Sequence, residues 1–98
     1  MEFTSIEKMA IIYFLGKIME ADSIIHPDEL EFMDLMYRKL DVSPDDLSRL
    51  EMMDLEYSKG IISNMSMDKL VIAKESFVQM AMSDGYYDPK ERDLIESL

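Results

Sequence analysis

The chain has 98 residues, 48% of them hydrophobic and 32% charged, with no Cys and a formal net charge of −11. That length sustains one core without disulfide staples, and that composition is globular rather than disordered. With 21 acidic side chains against 10 basic ones and no basic run, phosphate backbones and anionic membrane surfaces are disfavoured as partners.

The first helix opens at Thr4-Ser5-Ile6-Glu7, which has capping-box form with Thr4 as N-cap and Glu7 at N3. Ile6, Met9, Ala10, Tyr13, Phe14 and Ile18 follow at helical spacing, and Ile11, Ile12 and Leu15 widen the stripe. An apolar surface this broad predicts a central helix buried on several sides. Gly16 costs about 1 kcal/mol relative to Ala in a helix interior, so a close approach of another helix is expected there. Glu2 and Glu7 precede the apolar stretch and Gly16-Lys17 interrupts it, so neither a secretory leader nor a membrane span is expected.

The second helix starts at Pro27, suited to the first helical position, and carries Leu30, Met33, Met36, Tyr37 and Leu40. Ser43-Pro44-Asp45-Asp46 opens the third, with Ser43 as N-cap and acids in the first turn. Its stripe is Leu47, Leu50, Met53 and Tyr57, and Lys59-Gly60 reads as its stop. Residues 61–66 form a connection ending in a cap at Asn64 or Ser66. The fourth helix spans about 67–82 with Leu70, Val71, Phe77, Val78 and Ala81 inside. The fifth begins at Asp88-Pro89-Lys90-Glu91 and carries Leu94, Ile95 and Leu98. No sustained period-two alternation suggests a strand. The expectation is a single all-α domain over residues 1–98, a compact five-helix bundle.

Two segments of this chain match. Asp22-Ser23-Ile24-Ile25-His26-Pro27-Asp28-Glu29 returns 62 positions later as Asp84-Gly85-Tyr86-Tyr87-Asp88-Pro89-Lys90-Glu91. The match predicts an internal pseudo-two-fold repeat of helix-loop-helix units, at about 5–40 and 67–98, joined by a linking helix at about 44–58. Capping accounts for the Pro residues, Asp88, Glu29 and Glu91. It does not account for Asp22 and Asp84, which sit where a preceding helix presents its negative end and where a carboxylate needs compensation.

The second loop follows the latter part of an EF-hand calcium loop. With Glu91 at loop position 12, Asp88 falls at 9, Gly85 at 6 and Asp84 at 5. Positions 1 and 3 are then Met80 and Met82, whose thioethers do not suit a hard cation. The first loop offers Glu20, Asp22 and Glu29, with Ile18 at position 1 and Ser23 where Gly is wanted. Neither loop is a complete EF-hand; a weaker oxygen-ligand site is the expectation.

The Asp-Gly-x-x-Asp-Pro-x-Glu run at the end of a hydrophobic helix, with its earlier copy, resembles tellurite-resistance TerB-like domains. It is also similar to the N-terminal domain of the DjlA co-chaperone. The resemblance implies an all-helical, internally repeated fold and a non-enzymatic role in stress response or protein interaction. It also implies divalent-cation binding at Asp22 and Glu29 in the first loop and at Asp84, Asp88 and Glu91 in the second. Ser23 in place of Gly and His26 in place of a polar cap make the first loop the weaker of the two.

With one His and no Cys, no nucleophile-base pair can be assembled, and no catalytic residue is assigned. The expected partners are proteins, with self-association open and neither nucleic acid nor membrane insertion foreseen. The expected location is cytoplasmic. The alternative function is a scaffolding domain without metal, acting through an acidic or Met-rich surface. The chain holds 11 Met, and Met52, Met53, Met65, Met67, Met80 and Met82 are the ones whose exposure separates core filling from a partner surface.

Overall fold

A computed structural model describes residues 2–21, 25–83, 85 and 87–98. Helix α1 spans Ser5–Glu20, α2 Pro27–Lys39, α3 Pro44–Ser48, α4 Leu55–Ser63, α5 Met67–Ala81 and α6 Pro89–Glu96. A 3-10 turn, Arg49–Met52, follows α3 directly. The described residues contain no strand.

Helix α1 is the axis of the molecule. Its Met9, Ala10, Ile11, Ile12, Phe14, Leu15 and Ile18 are all buried, so apolar side chains leave it in several directions. Every other helix packs against it, α4 most extensively. A helix that is apolar all round is stable only when covered in this way. Helices α1 and α5 run side by side in the same sense. Glu7 meets Lys69 near both N-termini, and Phe14 stacks on Phe77 further along with ring centroids 4.7 Å apart. Both rings are fully buried. A tilted aromatic pair of this kind adds about 0.5–1.5 kcal/mol beyond its area burial.

The caps fall where residue chemistry places them. Thr4 and Glu7 form the reciprocal capping box of α1, Ser43 and Asp46 that of α3, and the Ser66 hydroxyl accepts from Lys69 N–H at the start of α5. Pro occupies the start of α2, α3 and α6.

Among the described residues the expected five helices are six. The expected helix over 44–58 breaks at Met53, whose extended backbone leads into Asp54. The Asp54 carboxylate accepts from Tyr57 N–H at 2.7 Å and opens α4 as a new helix. Lys59-Gly60 does not stop that helix. Burial of Ile62 outweighs the roughly 1 kcal/mol cost of an internal Gly, and α4 ends at Asn64, whose side-chain amide donates to the Gly60 carbonyl at 2.8 Å. Gly16 is likewise not a close approach: a Cβ there would meet nothing within 4 Å. Leu30, Leu47, Tyr57 and Val71, placed inside by spacing, are exposed.

Helix α2 ends in a Schellman motif. Asp41 has φ 52°, Val42 N–H donates to the Tyr37 carbonyl at 3.1 Å, and Asp41 N–H to the Arg38 carbonyl at 3.1 Å. A non-Gly residue therefore holds a left-handed position that usually goes to Gly.

Candidate functional site

The sequence-derived candidates sit at the entrances to α2 and α6. Glu29 is the third residue of α2 and Glu91 the third of α6, each two positions after the Pro that starts its helix. Both carboxylates are 1% exposed. Glu29 folds back over its own loop: Glu29 Oε1 accepts from His26 N–H at 3.0 Å, while the His26 carbonyl accepts from Glu29 N–H at 3.0 Å and Leu30 N–H at 3.2 Å. His26 itself is half-buried rather than the exposed loop residue its position suggests. The positive end of each helix dipole lies against these carboxylates.

The second loop has its own cap. Asp88 Oδ1 accepts from Lys90 N–H at 2.8 Å, and the Asp88 carbonyl accepts from Arg92 N–H at 3.0 Å. The side-chain cap is thus made to the second helical residue rather than to Glu91. Gly85 sits at φ 86°, a turn conformation that favours Gly, and its N–H returns to the Met82 carbonyl at 2.9 Å. Tyr87 is half-buried and packs against the core. Burial pushes its phenol pKa up, and the nearby Glu96 and Glu91 carboxylates push it further. Asp22, Asp84 and Tyr86 lie outside the described residues.

Helices α2 and α6 do not pack against each other; α2 leans on α1 and α5, and α6 leans on the same two. Among the described residues, no group of three or more His, Asp or Glu side chains is placed to hold one ion together. The described members, Glu29, Asp88 and Glu91, therefore do not form a ligand set without the loop acids. Of the methionines singled out, Met53, Met65 and Met80 are buried in the core, whereas Met52, Met67 and Met82 are exposed.

A second acidic centre was not anticipated in the sequence. Asp46 is buried and joins α3 to α1. Its Oδ2 accepts from Ser43 N–H at 2.9 Å, its Oδ1 accepts from the Ser5 hydroxyl, and Lys8 Nζ stands 3.7 Å away. The Ser43 amide, then the Ser5 hydroxyl, hold the Asp46 carboxyl at about 2, below its ordinary 3.8. Glu7 makes a similar link. Its Oε1 accepts from Thr4 N–H at 2.8 Å and from Lys69 Nζ at 2.8 Å. Burial alone would raise the Glu7 carboxyl, but these donors bring it below its usual value. The Thr4–Glu7 capping box and the Ser43 N-cap were visible in the sequence; the cross-helix partners Ser5 and Lys69 were not, because nothing local marks a contact so distant in the chain. Both clusters are fully used in joining helices.

No family model matches this chain, and neither curated proteins nor solved structures provide a match. No described helix is long and apolar enough to cross a membrane.

Proposed function

We propose that this chain is a non-enzymatic, TerB-like helical module whose acidic loops bind a divalent cation. The observation that carries the reading is the pair of buried carboxylates, Glu29 and Glu91, at the same position behind the Pro of α2 and α6. The backward fold of Glu29 is the capping-box bond to His26 N–H, and it turns the carboxylate toward the first loop. In this reading the two helix-loop-helix units are a repeat, and Asp22 and Asp84 complete the ligand sets. The second loop is the stronger, since Gly85 supports the turn and Asp88 lies between Asp84 and Glu91. The ligands are hard oxygens, which suits calcium, magnesium or manganese.

Isothermal titration with each of these ions tests the reading. Binding that is lost in Asp84→Asn and retained in Asp45→Asn, an exposed acid of α3, supports it. Equal binding by wild type and Asp84→Asn, or no heat from any ion at millimolar concentration, refutes it.

A further inference from the structure

The outward face of α5 carries apolar side chains that the fold does not cover. Met67 is 74% exposed, Val71 49%, Ile72 44% and Met82 54%. At roughly 100° per residue, Val71, Glu75, Val78 and Met82 fall in one strip about 60° wide and about 16 Å long. Two depressions flank that strip. One, of about 450 Å³, is lined by Val71, Lys74, Glu75, Val78 and Gln79. The other, of about 460 Å³, adjoins Ile72 and is lined by Phe3, Met36 and Leu40 together with the charged Glu2, Lys8, Lys39 and Asp41. Glu75 and Gln79 line both. Glu75 is thus an exposed carboxylate standing on a ridge between two partly apolar hollows, and it has no ion-pair partner among the described residues.

We infer that this face docks an amphipathic helix of a partner protein that carries Lys or Arg among its apolar residues. The surface proposed borders the second loop only at Met82 and does not depend on whether the loops bind a cation. A ridge flanked by hollows receives the side-chain rows of a helix, and the strip is long enough for about three turns of one. The partner's apolar side chains fill the hollows, and its cation meets Glu75, with Asp68 about two turns away on the same helix. Lys74, at the strip's edge, sets which side the partner's own acids take. A second copy of this chain is the poorer occupant: each copy carries a net charge of −11, and symmetric docking would bring like carboxylates together. The same charge steers a basic helix toward the surface.

The test uses fluorescence anisotropy with the full chain and a labelled 14-residue Leu/Lys amphipathic peptide, with a Leu/Glu peptide of the same pattern as control. The double variant Val71→Ser/Ile72→Ser should weaken binding by about 10-fold or more, and Glu75→Lys should do the same. Leu47→Ser and Asp28→Lys, which make matching changes on α3 and α2, should alter it less than about 2-fold. All these positions are exposed, and unchanged thermal unfolding verifies that each variant is folded. Absence of binding by wild type, or equal loss in Asp28→Lys and Glu75→Lys, overturns the proposal. It is also overturned if the Leu/Glu peptide binds as well, or if sedimentation finds a wild-type dimer that Val71→Ser/Ile72→Ser dissolves.

Discussion

Replacing Asp41 by Gly should stabilise the protein. Asp41 holds φ 52° at the end of α2, where a left-handed backbone costs an ordinary L-residue roughly 1–2 kcal/mol and Asp somewhat less. Its carboxylate also sits at the negative end of the α2 dipole, an unfavourable placement of about 0.3–1 kcal/mol. Gly removes both costs. Against this, its freedom in the unfolded chain takes back about 0.4–1 kcal/mol. The backbone bonds Val42 N–H to Tyr37 and Asp41 N–H to Arg38 are retained, as is the acceptor for Lys8 Nζ at 3.3 Å. The net is a gain of about 1 kcal/mol, or roughly 4–8 °C in Tm for a chain of this size. Asp41→Asn keeps the backbone geometry, loses the charge and should recover about half of the gain. Thermal unfolding of the two variants beside wild type measures both parts. A Gly variant that melts at or below wild type would show that the Asp41 side chain makes a favourable interaction larger than its backbone strain.

Gly16→Ala should also stabilise, by about 0.5–1 kcal/mol, because the added methyl meets nothing and Ala is the better helix former; a fall in urea midpoint would restore the close approach suggested by sequence. Ser58→Ala should destabilise by about 1 kcal/mol, since the buried Ser58 hydroxyl donates to the Ala10 carbonyl at 2.8 Å and ties α4 to α1; chemical denaturation measures it. The depressed Asp46 carboxyl gives a pH dependence with a definite sign. Its folded pKa of about 2 lies below the unfolded 3.8, so its contribution is present above pH 3.8 and is lost as pH falls toward 2. Melting curves across that window should show a smaller acid-induced loss in Asp46→Asn than in wild type, and parallel curves would deny Asp46 this role.

The all-helical fold was readable because its boundaries are set locally. Thr4, Ser43, Ser66 and the three Pro residues act within a turn of their own positions, and their caps form as residue type dictates. Helix α1 was readable for another reason: a surface apolar on all sides has only one stable place. The break after Met52 was hidden because Leu50, Met53 and Tyr57 keep helical spacing across it, so the periodicity runs on where the backbone does not. Spacing also failed on α5. That helix is apolar on two faces, and Phe77 and Ala81 face the core while Val71 faces outward. At the candidate site, sequence placed Glu29 and Glu91 as third helical residues, but not their burial. Burial depends on what α1 and α5 leave beneath α2 and α6, and no local pattern encodes it. Asp22 and Asp84 lie outside the described residues, so the sequence remains the basis for placing them in the ligand sets.

The central claim is that the loops bind a cation, and thermal unfolding with chelator or with 5 mM calcium, magnesium or manganese tests it most directly. A weak oxygen site with a Kd of about 10⁻⁴–10⁻³ M should add about 1–2 kcal/mol at that concentration. That corresponds to a rise of roughly 5–15 °C in Tm. The account predicts such a rise for at least one ion, reversed by chelator and lost in Asp84→Asn. Identical melting of the wild-type chain in chelator and in all three ions would contradict it.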